Sequence, residues 1–349
     1  MTEIVHPLAS AGWDEAVLRL PGALLFHRTP WLRLLHAAYG HEPVGVVEGP
    51  AAAPAAVLPL LDVRSWLTGA RGVSLPFTDT CPPLVPDTAT FHRLLATARE
   101  VGRHRGWSAL EFRGGSEHFA PIPGHQPSTS FVTHTLDLGR LAATPSLLEA
   151  AWDPAHRRAL RKAERSGLTV EHSATPETVD AFYGLLCLTR RRHGVPPQSR
   201  RFFRLLQEHV LGPGHGRVFL ARHSGQPVAG AVFLHSGPVI HFKYGASDES
   251  FQEHRPNNLV LADAIRHYAA EGRRHLDFGR TSLCNEGLRR FKLGWGATET
   301  PLDYTRLDLR ADTFVRSPDR ATGLHTRLFR LLPPGLGRLT GTLLYPHLA

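Results

Sequence analysis

The order of the elements predicted over residues 154–307 is the feature that most limits the folds open to this chain. Pro154 stands where a helix can begin, and Gly167 and Gly272 stand where helices can end. Two short turns, through Gly225 and Gly237, separate three apolar runs of strand length. In chain order the pattern predicts helices at 154–166, 178–193 and 199–211, strands at 217–222, 228–235 and 239–245, a helix at 257–271, a strand at 275–278, a helix at 287–292 and a strand at 302–307.

The first half of the chain has a similar but less legible pattern. Asp87 or Thr88 is placed to cap a helix that runs through 95–104, with Gly106 beyond its end. The Gly/Pro/Ser-rich piece at 114–130 indicates a loop. The other elements predicted in this half are a helix at 30–39 and strands at 43–47, 55–63, 109–112 and 133–138.

Two helices, a three-stranded meander, a helix, a strand, a helix and a strand are typical of an N-acyltransferase (GNAT-like) domain. We therefore expect an α/β fold of two tandem GNAT-like domains, with mixed sheets flanked by helices. The predicted boundaries are 1–145 and 146–310, followed by a tail at 311–349 that packs on the domain or lies on a membrane surface. No sequence repeat links the halves, so the duplication rests on the pattern alone.

Charge narrows the choice of partner. The net charge of +9 favours a nucleic acid, a nucleotide-linked substrate or a membrane surface, and a general bias toward arginine is the alternative explanation. Of the 40 basic residues, only Lys162, Lys243 and Lys292 are lysines. These three are therefore candidates for roles that a rigid planar guanidinium cannot fill.

Several classes of protein are not expected. The three cysteines are far apart in the sequence, which predicts no disulfide framework. The histidines show no metal-ligand spacing. No apolar run approaches the roughly 20 residues that cross a bilayer, and the first residues lack a signal-peptide pattern. We therefore expect a cytoplasmic protein that binds no metal.

The densest cluster of unusual residues lies between Lys243 and Glu299. Asp277 stands at a strand end near Arg280, where it could act in catalysis or form a structural ion pair with that arginine. Tyr244 stands at the end of a strand, where it could act as a proton carrier or pack as an aromatic core residue. Asn257 and Asn258 stand at a helix start, where one could cap the helix and the other contact a substrate.

Short phrases in this region resemble a known family. KYGASD, RPNNL, DFGRTS and GLRRFKLGWGATE, with HRRALRKAERSGLTV and RRRHGVPPQ before them, are similar to the FemAB/FemX-type peptidyltransferases and their GNAT-type acetyltransferase relatives. The resemblance covers roughly residues 150–307 well and 25–140 loosely, without the long helical arm of some members. It implies two fused GNAT-like domains that transfer an amino acid from aminoacyl-tRNA to an amine of a peptidoglycan precursor or a specialised metabolite.

The resemblance also implies roles for individual residues. Aminolysis of an ester needs a neutral amine, close placement and positive charge where the oxyanion forms. Lys292 matches the lysine of the family's Phe-Lys-x-Gly-Trp/Phe-Gly segment, which implies a phosphate-holding and charge-stabilising role; a surface lysine is the alternative. With Lys292, the catalytic candidates are Tyr244 and Asp277. The candidates for substrate contact are Lys243, Arg280, Arg289, Arg290, Asn257, Asn258, Arg191, His193 and Trp295, and those for tRNA phosphates are Arg158, Arg161 and Lys162.

Two other functions remain open. In an acyl-CoA-dependent N-acetyltransferase, a glycine-rich loop at a helix N-terminus would cradle a pyrophosphate, but the corresponding stretch, GASDESFQEHRPNN, holds a single glycine. A non-catalytic binding protein on the same fold is the other alternative. The preferred interpretation has aminoacyl-tRNA as donor substrate, no further cofactor, an amine-bearing acceptor and possible peripheral contact with a membrane.

Overall fold

The computed structural model describes residues 1–139, 145–317, 329–330 and 332–348. The chain forms two compact units. The first unit comprises Met1–Val132, Pro301–Arg320 and Leu344–Ala349, and the second comprises Thr133–Thr300 and Ala321–Leu343.

Elements are numbered in chain order. Up to residue 137 they are β1 (Thr2–Val5), α1 (Trp13–Leu18), α2 (Thr29–Tyr39), β2 (Glu42–Glu48), β3 (Ala56–Ser65), β4 (Gly69–Ser74), α3 (Thr88–His104), β5 (Ala109–Arg113), α4 (Ser116–Phe119) and β6 (Thr129–Asp137).

The later elements begin with α5 near residue 145. They are α5 (Pro145–Ala150), α6 (Pro154–Glu164), β7 (Leu168–Ser173), α7 (Pro176–His193), α8 (Arg200–Leu206), β8 (Gly216–His223), β9 (Gln226–Ser236), β10 (Val239–Ser247), α9 (Pro256–Ala270), β11 (His275–Asp277), β12 (Thr281–Ser282), α10 (Glu286–Leu293), β13 (Thr298–Asp308), β14 (Thr313–Phe314) and α11 (Pro334–Leu344).

The first unit contains an antiparallel run of strands that ends in a parallel pair. Strands β1, β2, β3 and β4 pair antiparallel in that order, and after α3 the chain returns as β5, parallel to β4. Asp87 caps α3, because its carboxylate accepts the Thr90 N–H at 2.7 Å. Strand β13 then pairs antiparallel with β5.

The second unit repeats this arrangement. Strands β7, β8, β9 and β10 pair antiparallel, and after α9 the chain returns as β11, parallel to β10. Strand β6 pairs antiparallel with β11. Both units therefore show a meander, a crossover helix and a parallel strand, which confirms the predicted tandem GNAT-like α/β fold.

The last strand of each unit comes from an unexpected part of the sequence. The strand predicted at 302–307 was expected to complete the second domain, but it pairs with β5, from Tyr304 opposite Arg113 to Asp308 opposite Ala109, and belongs to the first unit. Residues 133–137 of β6 conversely belong to the second unit. The compact units thus differ from the contiguous domains predicted at 1–145 and 146–310.

Local predictions differ from the structure at several points. Strands β1, β4 and β7 and helix α1 were not predicted, and the predicted loop at 114–130 contains α4 and the start of β6. The helix predicted at 199–211 ends as α8 at Leu206 and continues as a π turn, Gln207–Leu211.

The described part of the C-terminal tail includes α11. Gly341 of this helix lies so close to the Pro197 carbonyl that a Cβ there would overlap it. Most of the tail before α11, residues 318–328 and 331, lies outside the described residues. Among the helices that the structure describes, none is long and apolar enough to span a membrane.

The core of the second unit positions the candidate site. It contains buried residues of α6, α9 and the central strands, together with Trp152 and Trp295, whose rings cross edge-on at 4.9 Å. Helix α9 is buried on several faces because Leu259, Val260, Leu261 and Ile265 are all enclosed. Packing therefore fixes the first turn of α9 and the end of β10 beside each other.

Candidate active site

A cleft of about 940 Å³ lies within the second unit, a volume near the upper end of ligand pockets. Helices α6, α7, α9 and α10 supply its walls, and β9 and β10 supply its floor. The lining residues that matter below are His156, Arg158, Lys162, Arg192, His193, Phe242, Gly245, Ser247, Arg255, Asn257, Asn258 and Phe291.

A bulge in β10 shapes the floor of the cleft. Phe242 pairs with Phe233 and Tyr244 pairs with Val232, so Lys243 is an extra residue in the ladder. A Cβ at Gly245 would lie 2.7 Å from the Phe242 ring, so only glycine allows that ring to lie over the strand. Phe242 and the backbone around Gly245 therefore face the cleft together.

The first turn of α9 closes one end of the cleft. Arg255 precedes it with φ of 58°, a left-handed conformation rare for arginine. Pro256 follows and has no N–H to offer. The predicted cap by Asn257 or Asn258 is wrong, since Arg255 occupies the N-cap without a side-chain capping bond. Asn257 instead donates from Nδ2 to the Ser247 hydroxyl at 3.3 Å.

The charges that line the cleft have one sign. Arg158, Lys162, Arg192 and Arg255 line it, and no Asp or Glu occurs among its described lining residues. None of the four makes an ion pair or a side-chain hydrogen bond within the described part of the chain, and a buried Nη1 of Arg192 has no partner. Arg158, Lys162 and Arg255 are exposed, so the burial cost of an unpaired donor applies to Arg192 alone. Together the four cations make the cleft electropositive, which favours an anionic group.

His193 is the cleft residue best suited to accept a proton. Burial lowers its pKa, and the neighbouring charges of Arg192 and Arg190 lower it further. The imidazole is therefore neutral at pH 7.

His156 lines the cleft where α6 meets α10. It is 8% exposed, and among the described residues neither ring nitrogen has a hydrogen-bond partner, although the Asp153 carboxylate lies 3.4 Å from Nδ1. Its ring packs on Trp295 with centroids 4.7 Å apart. The contact requires glycine at 294, because a Cβ there would lie 2.6 Å from Nδ1.

We expect Gly294→Ala to lower the free energy of unfolding by about 1–3 kcal/mol, since the His156 ring is packed and cannot yield freely. Denaturant unfolding measures the change. Gly287→Ala, within α10, which Gly294 caps, is the matched control, since the nearest described atom lies 3.9 Å from the new Cβ. His156→Ala in the Gly294→Ala background should recover part of the lost stability. Equal losses of stability in the two glycine variants would contradict the contact between Gly294 and the His156 ring.

Lys292 is not a surface lysine. It is 4% exposed, and its Nζ donates to the carbonyl oxygens of Gly279 at 2.7 Å and Arg280 at 3.3 Å. It does not line the cleft, whereas Leu288 and Phe291 of the same helix do. Its ammonium group thus holds the segment that connects β11 to β12.

Asp277 lies at the start of that segment and has three partners. His241 Nδ1 lies 3.3 Å from its carboxylate, Thr133 donates its hydroxyl at 2.9 Å, and the Gly279 N–H donates at 2.8 Å. The alternative of an ion pair between Asp277 and Arg280 is therefore wrong. Burial alone would raise the pKa of Asp277, but the bonds from His241, Gly279 and Thr133 together lower it.

Arg289 is engaged by a carboxylate. Its guanidinium forms two bonds to Glu299, at 2.9 and 2.7 Å, and Glu299 also contacts Nε2 of the buried His134 at 3.0 Å. The bonds from Arg289 lower the pKa of Glu299. The predicted substrate contact by Arg289 would have to compete with this bidentate pair.

The remaining predicted residues are dispersed. Tyr244 packs on Phe203 with centroids 5.4 Å apart and does not line the cleft, and Lys243 lies over the Tyr244 ring at 5.5 Å. Trp295 is fully buried, which leaves no surface for substrate. Three more candidates, Arg161, Arg280 and Arg290, lie outside the cleft lining, and Arg191 lines a different cavity.

Sequence reasoning missed two cleft residues, His156 and Arg255, and it grouped Arg192 with Arg191 and His193 at one helix end without separating them. Helical spacing would have separated Arg192, three positions after the cleft residue Thr189, from Arg191 on the neighbouring face. His156 and Arg255 each begin one of the phrases that carry the resemblance, and nothing in the sequence around them indicates that they face a cleft. Within the described residues, no group of His, Cys, Asp and Glu could hold a metal ion.

The family described as "Acetyltransferase (GNAT) domain" matches residues 155–304, a range that contains the whole cleft. No curated protein matches the chain.

Solved structures extend the likeness beyond that domain. The crystal structure of FemX is 15% identical, with a TM-score of 0.67 over 86% of this chain and 96% of that one. The C-terminal domain of a putative lysylphosphatidylglycerol synthetase from Agrobacterium fabrum is 13% identical, with a TM-score of 0.57 over 93% and 96%. A tandem GNAT protein from the clavulanic acid biosynthesis pathway is 16% identical, with a TM-score of 0.53 over 88% and 99%. The chain therefore has the fold of FemX, and its residues 155–304 match the GNAT acetyltransferase-domain model.

Proposed function

We propose that this protein is an aminoacyltransferase that takes its aminoacyl group from aminoacyl-tRNA and transfers it to an amine of a cell-wall precursor or a specialised metabolite. The observation that carries the proposal is the cleft, whose four cations have no partner among the described residues and whose described lining contains no acid. Such a cleft suits the phosphates at the acceptor end of a tRNA. The likeness to FemX supports the proposal through the fold.

The reaction needs placement, positive charge near the forming oxyanion and a proton acceptor from the protein. The amine nitrogen attacks the ester carbon, a C–N bond forms, the C–O bond to the ribose breaks, and the amine proton ends on the ribose oxygen. His193 is the cleft group that accepts and returns this proton, because its lowered pKa keeps it neutral. The floor around Phe242 receives the apolar parts of the donor.

In this proposal Lys292 is a positioning residue. Its ammonium group is committed to the carbonyls of Gly279 and Arg280, so it fixes the chain that follows β11. Tyr244 and Asp277 act in the same way, Tyr244 by anchoring the bulge and Asp277 by holding His241. The protein would work in the cytoplasm, where charged tRNA is available.

A second candidate donor is acyl-CoA, because the domain match is to acetyltransferases and α9 begins at the cleft. A pyrophosphate at this helix start would need backbone N–H donors. Pro256 supplies none, and Arg255 occupies the left-handed position that a glycine would otherwise fill. These features favour a donor held by side-chain cations over one cradled by backbone.

The direct test compares charged tRNA with acetyl-CoA as ligands of the purified protein, by filter retention and calorimetry. Retention of charged tRNA without heat from acetyl-CoA supports the proposal. Binding of acetyl-CoA alone would make the protein an N-acetyltransferase. Binding of neither would favour a non-catalytic protein on this fold.

We expect the double variant Arg158→Ala/Lys162→Ala to weaken tRNA binding at low salt. In a plot of the logarithm of the binding constant against the logarithm of the salt concentration, the magnitude of the slope should fall by about 2. Each phosphate that the protein no longer neutralises accounts for about 1. Arg161→Ala is the matched control, since it removes a charge from the same helix outside the cleft lining. Equal slopes for the two variants would show that the tRNA does not follow the cleft.

A further inference from the structure

A second cavity, of about 390 Å³, lies within the second unit on the other face of α7. The donor cleft is lined by Thr189, Arg192 and His193 of this helix, whereas the second cavity is lined by residues spaced three and four apart from Asp180 to Arg191. Its other walls are the segment 195–197 and the described C-terminal residues from Phe329 to Arg338. The two sites therefore share a helix but no lining residue.

The walls of this cavity are mostly apolar. Leu188, Val195, Pro196, Phe329 and Leu332 line it. Glycines open the space from both sides: Gly184 lies on α7 and Gly337 on α11, and a Cβ at either position would meet no atom within 4 Å. The cavity is within the range of volumes that hold small organic ligands.

One polar group inside the cavity lacks a strong partner. Tyr183 is 4% exposed, and within the part of the chain that the structure describes its buried hydroxyl has only the weakly bonding thiol of the half-buried Cys187 beside it. Burial raises the pKa of both groups, so both are neutral at pH 7. A poorly bonded hydroxyl in an apolar cavity is costly, and a ligand oxygen would satisfy it.

The rim of the cavity carries excess positive charge. Arg200 is paired with Asp180, from Nε to the carboxylate at 2.9 Å. Arg191 and Arg338 also line the cavity, and neither side chain has an ion pair within the described residues. The charge of Arg338 opposes the effect of burial on both Tyr183 and Cys187, which places it near them.

We propose that this cavity binds a small single-chain amphiphile with a carboxylate head. The apolar chain would lie between the prolines and Gly184, and the carboxylate would accept hydrogen bonds from the Tyr183 hydroxyl and the guanidinium groups of Arg338 and Arg191. Neutral or cationic chains would leave the two arginines unpaired. The site is independent of the donor cleft and of the reaction proposed for it.

The alkylation rate of Cys187 shows directly whether the cavity is occupied. Alkylation of the purified protein by N-ethylmaleimide is followed by mass spectrometry with and without decanoate, and the exposed Cys284 serves as the internal reference. At decanoate concentrations ten times the dissociation constant, Cys187 should react about tenfold more slowly, while Cys284 is unchanged. Decanol and decyltrimethylammonium should slow the alkylation of Cys187 far less than decanoate does.

Two variants separate the apolar contribution to ligand binding from the ionic contribution. Gly184→Leu fills the cavity from a helix position that favours leucine and should abolish protection. Arg338→Gln should weaken decanoate binding and leave decanol unaffected. Equal protection by decanoate, decanol and decyltrimethylammonium would overturn the proposal, as would no protection by any, or protection only by phosphatidylglycerol vesicles.

Discussion

Lys292→Met should lower kcat for acyl transfer by about 100-fold or more. Methionine fills similar space but removes the two charge-assisted bonds to the carbonyls of Gly279 and Arg280. The segment after β11 then loses its anchor, and a displacement of about 1 Å at an active site is enough for such a loss. Steady-state rates with charged tRNA and an amine acceptor measure the effect, with kcat and KM determined separately.

The matched control is Arg290→Met, which removes a charge from the same helix outside the cleft lining and should keep most of the activity. Lys292→Met should also lower the free energy of unfolding by about 1–3 kcal/mol, because the buried Gly279 carbonyl loses its bond to the ammonium group. The rates are therefore compared where both proteins are folded. A rate within a factor of about two of wild type would remove Lys292 from the proposed function.

The second large effect is expected at Asp277. Asp277→Ala should lower the free energy of unfolding by about 3–5 kcal/mol, because it leaves buried partners without a carboxylate. His241, Thr133 and the Gly279 N–H all lose their bond. Chemical denaturation measures the loss, and Asp180→Ala, which breaks a partly exposed pair with Arg200, should cost less than about 1 kcal/mol.

The lowered pKa of Asp277 also determines the direction in which the stability of the protein changes with pH. The pKa of Asp277 is lowered on folding from its ordinary 3.8, so its contribution to stability is present above that value and is lost as the pH falls through the folded pKa. Asp277→Asn should therefore remove part of the acid dependence of stability below about pH 4. Identical acid profiles for the variant and the wild type would contradict the lowered pKa.

The fold could be predicted where local signals agree with tertiary packing. The Asp87 cap, the turns through Gly225 and Gly237, and the meander that follows α8 are fixed by side chains within a few residues of one another. Strand β4 could not be found in this way, because GARGVS has little apolar alternation and is held by its neighbours β3 and β5. Strand β7 was missed for a similar reason: the stretch LTVEHS is mostly polar and pairs with β8 at the edge of the sheet.

The candidate site was predicted less completely, since burial is a tertiary property. The motif around Lys292 pointed to an important lysine, but not to an ammonium group enclosed by two carbonyls. Gly294 is explained by a histidine more than 130 positions earlier in the sequence. The four cleft cations come from two helices and the residue before a third, so their convergence depends on packing that the sequence does not display.

The exchange of final strands also affects how the protein can be made. Glu111 of β5 meets Arg306 of β13 across 195 positions of sequence, so the first unit cannot close its sheet until the ribosome has synthesised nearly all of the second. Contacts between residues so far apart in the sequence slow folding. Until β13 is made, the unpaired edge of β5 can pair with other strands. The nascent N-terminal unit should therefore depend on chaperones for longer than a contiguous domain of its size.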